Sequence, residues 1–549
     1  MLMGGIMNIL ILGAGLMQKP AILAAKELGY KACVIDADDT AVAIPFADVF
    51  KKIDLKDREG ILAYAKELQN NEGLAAVFTA GTDFSASVSY VTQELNLPAH
   101  SFEAACNASS KTRMRSCFEK AGVPSPKYTG VNRHFLENPL SYEEFTLRYF
   151  SDTDTVLVVK PIDNMGGRGC RMVRNALEFI PAIKDAVSNS KSGNAVVEEY
   201  MDGEEYSIDA LVFDGQLIVT GFALRHIKYP PYFIEIGHTM SAELDKDIHD
   251  ELISTFALGI KALGLTHGVA KADIKYTKKG AMIGEIAGRL SGGYMSGWTF
   301  PYASGLNLTK NALLLALGKQ PEDALNLKIP VDFKAPKLNP SAQKPMELFE
   351  IPCSNFSAER AWISIPGTVK DVLNLDKARN IPCIKDVMER ATVKKGGKVD
   401  FPRNNVSKCG NVITRNSTYQ EAVDTAEKAV SSIIIELEKN NPETDRFLKG
   451  ESADYEKAFP PSAYEIDSET VLNIDGICPE NEKISLYLSE DFKNGRYSKV
   501  KDWNYNTVLE TVEKVSLLRP CHPSFKLADF YKCLFRGGIQ GALYFLDCL

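Results

Sequence analysis

The stretch VVKPIDNMGGRGCR, residues 158–171, decides how this sequence is interpreted. An apolar run ends at Lys160, and three glycines follow it, at Gly166, Gly167 and Gly169. A lysine at the end of a strand holds one ammonium at a fixed point, and a glycine loop lets backbone N–H groups close over an anion. The pattern indicates a phosphate cradle, although a β-hairpin with a glycine-rich bend would give the same letters. It is not a Walker A loop, because G-x-x-x-x-G-K-[ST] occurs nowhere in the chain.

The composition sets the broad class. The chain has 549 residues, 45% apolar and 24% charged, which is typical of globular proteins with several domains. Its formal charge of −8 argues against a broad nucleic-acid surface. The 11 cysteines form no C-x-x-C pair and no cluster of zinc-ligand spacing, and no apolar run is long enough for a membrane helix. We therefore expect a cytoplasmic protein with neither nucleic-acid nor membrane partners.

The N-terminal part alternates apolar strands with an amphipathic helix. The strands are Asn8–Leu12, Ala32–Ile35 and Leu74–Thr79, and the helix is Pro20–Leu28. Strand, helix and strand at these spacings predict βαβ units on a parallel sheet. Residues 1–105 should therefore form a small doubly wound domain.

The turn Gly13–Gly15, followed by Asp36 at the next strand end, also invites a dinucleotide-binding interpretation. Gln18 stands where the G-x-G-x-x-G pattern needs its third glycine. A nicotinamide-dependent dehydrogenase therefore stays open as an alternative.

The rest of the chain divides by its pattern into three further parts. We predict a second domain over residues 106–320 with a lid over about 123–200, an α+β domain over 321–440, and an accessory segment of unknown role over 441–549. The whole chain should thus combine α/β and α+β domains. Ahead of the lid, a basic helix over Ser109–Gly122 carries Lys111.

One helix of the third part has a clear start signal. The residues Ser417–Gln420 match a capping box, in which side chains at both ends of the first turn satisfy backbone N–H groups. A helical pattern follows it, and we predict a helix that runs to Glu438.

Two carboxylates lie on neighbouring strands joined by a turn. Asp273 and Glu285 flank the turn Lys278–Gly280, so both side chains can point to one face of a hairpin and share a magnesium ion, which prefers oxygen ligands. Asp273 alone could be a solvated strand residue. Arg289 follows ahead of a flexible Ser291–Gly293 and could hold a transferred phosphate.

Taken together in this order, these motifs resemble the ATP-grasp superfamily. Within it, the chain looks most like carboxylate–amine ligases such as L-amino-acid ligases, with kinship to biotin carboxylase and the purine-biosynthetic members. The resemblance covers residues 8–317 well and 361–438 loosely, and it does not cover the stretch beyond. It implies an ATP-grasp fold preceded by a Rossmann-like pre-ATP-grasp domain.

The resemblance also implies which residues bind the nucleotide. Lys111 and Lys160 match the two phosphate-contacting lysines, and the glycines of the quoted stretch match the loop that closes over the triphosphate. Glu198, Glu199 and Met201 match the hinge segment that reads adenine. Glu205 matches the position that is often bonded to the ribose.

For the metal and the substrate, the resemblance implies a second set of residues. Asp273 and Glu285 match the ligands of Mg²⁺ or Mn²⁺. Arg289 matches the arginine beside the acyl phosphate and, with Lys160, is expected to be catalytic. The substrate should meet the loops that carry Arg225, His238, Gly292 and Gly293.

Two departures concern the metal. Many family members have Asn two residues after the second carboxylate, and here that residue is Ala287. The pair is also Asp plus Glu rather than two Glu, which shortens the reach of one ligand. The number of metal ions therefore stays open, as one or two.

The implied reaction starts with phosphorylation of a carboxylate by ATP. An amine then attacks the acyl phosphate, which gives an amide, ADP and phosphate. The expected partners are a small carboxylate and an amine, and the resemblance favours a homodimer. The alternatives are a bicarbonate-activating carboxylase of the same fold and a non-catalytic nucleotide-binding regulator.

Overall fold

A computed structural model describes the chain over residues 6–138, 143–145, 150, 155–451, 459–464, 466 and 498–549. The chain forms two compact units. The first comprises Met1–Met165, Val173–Arg225 and His238–Ser357, and the second comprises Gly166–Met172, His226–Gly237 and Ala358–Leu549. Among the described helices, none has the length and apolar character that crossing a membrane requires.

The first unit begins with a parallel sheet of order β3-β2-β1-β4. Its strands are β1 (Asn8–Leu12), β2 (Lys31–Asp36), β3 (Val49–Lys52) and β4 (Leu74–Phe78). Its helices are α1 (Lys19–Glu27), α2 (Arg58–Asn71) and α3 (Ser85–Glu94). Strand β1 is buried along its whole length because both faces are covered, as expected for parallel sheets. The predicted Rossmann-like start of the chain is confirmed.

A smaller sheet follows in the first unit. Helices α4 (Phe102–Ser109) and α5 (Lys111–Ala121) lead to strands β5 (Tyr128–Asn132), β6 (Leu157–Pro161) and β8 (Asn194–Glu199). Strand β8 lies between β5 and β6 and is antiparallel to both. Helix α6 (Ala176–Asn189) buries Phe179 and Ile183 in the core of this sheet. Strand β7 (Arg171–Val173) begins in the second unit and ends in the first.

The largest sheet of the first unit carries most of the predicted site. It contains β9 (Gly203–Phe213), β10 (Gln216–Lys228), β12 (Gly268–Thr277) and β13 (Gly280–Ala287), in the order β13-β12-β9-β10. All neighbours on this path are antiparallel. Helix α7 (Lys246–Leu263) covers one face and buries Phe256 and Ile260, each worth about 1.5–3 kcal/mol as a fully buried side chain. On the opposite face, Leu211 and Val269 pack in a second hydrophobic cluster, and Asp209 and Lys271 follow on the same face.

Further elements complete the first unit. Helices α8 (Phe300–Ser304), α9 (Leu308–Ala316) and α10 (Glu322–Leu327) follow the site, and strands β14 (Ile329–Pro330) and β15 (Glu347–Glu350) come after them. Strand β15 runs parallel to β10 and extends the large sheet. Strand β11 (Ile234–Met240) begins in the second unit and ends in the first.

The second unit is an α+β structure with two groups of strands. Strands β16 (Ser357–Trp362), β20 (Gly410–Thr414) and β18 (Ile384–Glu389) are neighbours at one end of the ten-stranded sheet, and β19 (Lys398–Val399), β17 (Gly367–Leu373) and β21 (Ile434–Leu437) form a separate three-stranded sheet. Its helices are α11 (Leu375–Arg379), α12 (Tyr419–Ser432), α13 (Pro442–Lys449), α14 (Val508–Leu518) and α15 (Leu527–Asp547).

The C-terminal helices belong to the same core as the strands before them. Phe530 and Leu543 of α15 pack in one cluster with Trp362 and Ile435. Arg519 adds a two-pronged ion pair to Asp547, with Nε–Oδ1 at 2.6 Å. The stretch after residue 440 therefore completes the hydrophobic core of the second unit. The predicted four-part division of the chain stays a prediction.

Candidate active site

Lys160 is held by a buried carboxylate. It is the next-to-last residue of strand β6, and its Nζ lies 2.6 Å from Oε2 of Glu198, which is near the end of the neighbouring strand β8. The other oxygen of Glu198 accepts from Nε of Arg115 at 2.8 Å. Burial works to raise the pKa of Glu198, but the charges of Arg115 and Lys160 outweigh it and hold the pKa below its ordinary value. The Glu198 side chain thus fixes the position of the Lys160 ammonium.

Arg115 is a residue that the sequence interpretation missed. It follows Lys111 by one helical turn on α5, so both side chains leave the helix on the same face. Its Nη2 donates to the carbonyl oxygen of Gly284 at 2.6 Å. The run of basic residues on this helix was the signal that could have identified it.

Lys111 reaches the predicted metal carboxylate. Its Nζ lies 3.4 Å from Oε1 of Glu285 and donates to the carbonyl oxygen of Asn164 at 3.2 Å. Burial would lower the pKa of Lys111, but the charges of Glu285 and Asp83 raise it. The ammonium therefore stays charged although the side chain is buried.

The two predicted metal ligands face each other. Asp273 on β12 is paired with Glu285 on β13 in the antiparallel register, which places both side chains on one face of the sheet. Burial would raise the pKa of Glu285, but nearby cations, Lys111 first among them, lower it to about 2. Two opposed carboxylates are oxygen donors that suit a hard divalent cation, so the residues present fit Mg²⁺ or Mn²⁺.

Asp273 carries two cations of its own. Oδ1 lies 2.9 Å from Nη1 of Arg225, and Oδ2 forms an ion pair with Lys271. Arg225 also pairs with Glu205, whose second oxygen lies 3.6 Å from Nζ of Lys275. The predicted ribose residue and the predicted metal residue are therefore linked through the predicted substrate arginine. Lys271 was not among the predicted residues, although its place two residues before Asp273 on a strand put it on the same face.

The predicted adenine segment follows strand β8. The backbone N–H of Glu199 donates to the carbonyl oxygen of Lys127 at 3.0 Å, so this group is already engaged. A nucleobase at this segment would need the carbonyl of Glu199 or the backbone of Met201.

Arg289 lies beside an acid from the N-terminal sheet. Its Nε is 3.6 Å from Oδ1 of Asp83, in the loop after β4. A bridge between Ala80 and Leu290 ties this loop to the segment that carries the arginine. Asp83 was also missed, although loops at the carboxyl ends of parallel strands are common ligand sites.

The segment after Arg289 is hydrogen-bonded to a buried carboxylate. Asp209 on β9 accepts from the backbone N–H of Ser291 at 3.2 Å and from its hydroxyl at 2.7 Å. Burial raises the pKa of Asp209 to about 6. Gly292 lies beside Gly81, and Gly293 has a φ of +62°, with no atom of the described part of the chain within 4 Å of an added Cβ.

His238 occupies a different environment from the other predicted substrate residues. It is fully buried, and its Nε2 lies 2.8 Å from Oγ1 of Thr299. Substrate contact by His238 stays a prediction, but this side chain is not exposed to solvent.

The glycines of the predicted lid belong to the second unit. Gly166, Gly167 and Gly169 have φ values of +71°, +74° and +67°, a left-handed conformation that favours glycine. The carbonyl oxygen of Gly166 accepts from the backbone N–H of Asn405 at 2.8 Å. Nothing in the local sequence pointed to Asn405.

The turn Gly13–Gly15, which suggested a dinucleotide site, is contacted by side chains of the protein itself. Oδ2 of Asp36 accepts from the backbone N–H of Ala14 at 2.7 Å. The Gln18 side chain closes against Gly13 and accepts from the N–H of Ala80 at 3.0 Å. The acid and the turn thus stabilise the domain, which weakens the dehydrogenase alternative.

Two family models match the chain. One is an ATP-grasp domain over residues 153–297, and the other is an L-amino acid ligase C-terminal domain 2 over residues 361–438. The chain is 24% identical over 333 residues to carnosine synthase 1 of Mus musculus, covering 57% of this chain and 40% of that protein. It is 24% identical over 248 residues to an uncharacterized protein, y4rH, of Sinorhizobium fredii, covering 44% and 48%. The chain thus spans half or less of the length of these curated relatives.

Solved structures share the fold. L-amino acid ligase from Bacillus licheniformis has a TM-score of 0.64 at 18% identity, covering 80% of this chain and all of that one. The biotin carboxylase domain dimer of the 2-oxoglutarate carboxylase from Hydrogenobacter thermophilus, solved with MgADP and bicarbonate, has a TM-score of 0.56 at 18% identity, covering 79% and 91%. The matched domains and the common fold confirm the predicted resemblance to the ATP-grasp superfamily: the chain contains a match to the ATP-grasp domain over residues 153–297 and one to the L-amino acid ligase C-terminal domain 2 over residues 361–438.

Proposed function

We propose that this chain is an ATP-dependent ligase that joins a small carboxylate to an amine and releases ADP and phosphate. The observation that carries the proposal is the opposed pair Asp273 and Glu285, with the ammonium of Lys111 at 3.4 Å from Glu285. ATP is a polyanion that binds together with a divalent cation, so its site needs cationic side chains for the phosphates and carboxylates for the metal ion. The carnosine synthase and L-amino acid ligase relatives support the ligase class.

In the first step, a carboxylate oxygen of the substrate attacks the γ-phosphorus of ATP. The bond from that phosphorus to the bridging oxygen breaks, ADP leaves with its electron pair, and an acyl phosphate forms. Lys111 and Lys160 neutralise the phosphate oxygens, and Arg289 holds the phosphoryl group during transfer. A divalent cation, when bound by Glu285 and Asp273, would supply further neutralisation of the phosphates.

In the second step, the amine nitrogen attacks the carbonyl carbon of the acyl phosphate. The carbon–oxygen bond to the phosphate breaks, phosphate leaves with the electron pair, and the nitrogen loses a proton. Gly166, Gly167 and Gly169 keep water from the acyl phosphate, which water would otherwise hydrolyse. Arg225 is assigned to the substrate, together with His238, Gly292 and Gly293.

The adenosine part of ATP is assigned to the segment after β8. Glu199 and Met201 read adenine through backbone groups, and Glu205 binds the ribose. Glu198 serves the same site by holding Lys160 at 2.6 Å.

Within the same fold, a bicarbonate-activating carboxylase is the second candidate, because the Hydrogenobacter neighbour was solved with bicarbonate. It shares the phosphorylation step and differs in needing no amine. That neighbour is a domain dimer, which supports the proposal of a homodimer here. Light scattering of the purified protein tests the dimer directly.

The decisive experiment is a phosphate-release screen. The protein is supplied with MgATP and pooled amino acids and small carboxylates, with and without bicarbonate, and products are identified by mass. We expect phosphate release only when a carboxylate and an amine are both present. Release that depends on bicarbonate alone would assign the carboxylase, and nucleotide binding without turnover would assign a regulator.

Two variants test the site itself. Lys160→Ala and Glu285→Ala should each remove about 2–4 kcal/mol of transition-state stabilisation, which lowers kcat/KM roughly 30- to 1,000-fold. Lys278→Ala, in the exposed turn of the same hairpin, is the matched control and should keep full activity. A well-folded Lys160→Ala protein with normal turnover would remove the assignment of this site.

A further inference from the structure

One lysine lies among the acids of the site and has no role in the scheme above. Lys271 is on β12, directly opposite Asp209 of β9 on one side and Ala287 of β13 on the other. It lies two residues from Asp273, so the side chains of all four positions point to the same face of the sheet. Its side chain is 12% exposed.

Lys271 neutralises one of the two carboxylates that would hold divalent cations. Its ammonium pairs with Oδ2 of Asp273, while Arg225 takes Oδ1 at 2.9 Å. Both oxygens of Asp273 therefore already have a positive partner. Glu285 differs, because among the described residues its ion-pair partner is Lys111, at 3.4 Å from Oε1.

The position opposite Lys271 offers no ligand atom. Ala287 is buried and presents a methyl group, next to the Glu285 carboxylate on the same strand face. A methyl group leaves room for the long lysine side chain, whereas an oxygen donor at this position would favour a metal ion. In the cross-strand pair, Lys271 thus supplies a fixed cation and Ala287 supplies no oxygen ligand.

We infer that Lys271 takes the place of a second divalent cation, so that the site binds one metal ion for each bound nucleotide. This inference rests on the proposed function and adds the metal count and a positioning residue to it. The ammonium holds Asp273 in place and supplies positive charge beside the phosphates. Like-charge repulsion keeps a further divalent ion away from the same carboxylate.

The metal count can be measured without turnover. Mn²⁺ is titrated into the protein with a non-hydrolysable ATP analogue, and free Mn²⁺ is followed by electron paramagnetic resonance. We expect one Mn²⁺ for each bound nucleotide in the natural protein and in the control Lys278→Ala. In the double variant Lys271→Ala/Ala287→Asn, which removes the ammonium and adds an oxygen donor, we expect the count to rise to two.

Turnover gives an independent reading of the same inference. Lys271→Ala should lower kcat about 100-fold at the Mg²⁺ concentration that saturates the natural protein, as for other lost charge contacts. Part of that loss should be regained as Mg²⁺ is raised, because a second ion can then enter. Lys271→Arg, which keeps the charge, should retain most of the activity.

The outcomes separate the two claims. Two Mn²⁺ per nucleotide in the natural protein, or an unchanged count in the double variant together with full activity of Lys271→Ala, would overturn the role of Lys271 and leave the ligase proposal standing. Failure of the natural protein to bind the nucleotide would instead count against the proposed function itself.

Discussion

At the scale of single residues, the buried Glu198 carboxylate is the group on which two cations of the site depend. Its side chain is 2% exposed and touches both Arg115 and Lys160. Removing one member of a buried charge cluster leaves the others buried without their counter-charge, which costs far more than the loss of a surface pair.

We predict that Glu198→Gln lowers the free energy of unfolding by about 3–5 kcal/mol, because Arg115 and Lys160 lose their counter-charge. Urea denaturation of the variant and the natural protein measures the difference. Asp39→Asn, which breaks the exposed pair with Lys52, is the control and should leave stability unchanged within error. Equal effects of the two substitutions would show that the buried pair has no special weight.

The buried Asp209 makes stability depend on pH. Its pKa rises from 3.8 to about 6, so the folded protein binds this proton more tightly than the unfolded chain does. Between these pH values unfolding releases a proton, and the free energy of unfolding therefore falls as the pH rises.

We predict that Asp209→Asn abolishes that fall, which should amount to about 2 kcal/mol between pH 4 and pH 6. Denaturant curves at several pH values for both proteins measure it, with Asp214→Asn in the exposed β9–β10 turn as the control. Parallel pH profiles for the natural protein and Asp209→Asn would contradict the prediction.

Residue patterns predicted some of these side chains and could not predict others. Lys160, Asp273 and Glu285 lie in local motifs whose spacing implies their use, and the structure places all three in the first unit. Asp83 lies beside Arg289 only because a loop of the N-terminal sheet pairs with Leu290, far away in the sequence. Contacts of that kind depend on tertiary folding and leave no trace in a short window of sequence.

At the scale of elements, the start of β9 requires a residue without a side chain. A Cβ on Gly203 would lie 2.1 Å from the carbonyl oxygen of Tyr276 on the paired strand β12. The clash is with backbone, so relief would require the two strands to move apart.

We predict that Gly203→Ala lowers the free energy of unfolding by about 3 kcal/mol, within the range of strongly destabilising single substitutions. The control is Gly215→Ala in the β9–β10 turn, where φ is +70° but no atom of the described residues lies within 4 Å of the added carbon. That variant should lose only about 1 kcal/mol, from backbone strain. Thermal or urea unfolding distinguishes the two, and a smaller loss for Gly203→Ala than for its control would contradict the steric argument.

Element ends were harder to predict than element types. The helix predicted from Ser417 to Glu438 begins at Tyr419, with Thr418 as its cap, and ends at Ser432. The residues after it form β21, which pairs with β17. The β-branched run Ile433–Ile435 fits a strand as well as a helix, and only the distant partner strand selects the former.

At the scale of the whole molecule, ligand binding should be visible as stability. A ligand that binds only the folded state stabilises it by about 2.7 kcal/mol when present at 100 times its dissociation constant. We predict a gain of this size for ADP with Mg²⁺, measured by denaturant unfolding at rising nucleotide concentration. Lys160→Ala should lose most of the gain, whereas Lys278→Ala should keep it. An equal gain in Lys160→Ala would place the nucleotide elsewhere.

The glycine loop has a consequence for how this protein can be divided. Gly166–Met172 belongs to the second unit, although the residues on both sides of it belong to the first. A gene cut after Ser357 would encode every residue assigned here to catalysis, yet it would omit Asn405, to which the loop is hydrogen-bonded. The two halves of the sequence therefore cannot be exchanged independently of each other. Chimaeras that exchange the C-terminal half between relatives would also have to supply a residue that binds the loop as Asn405 does.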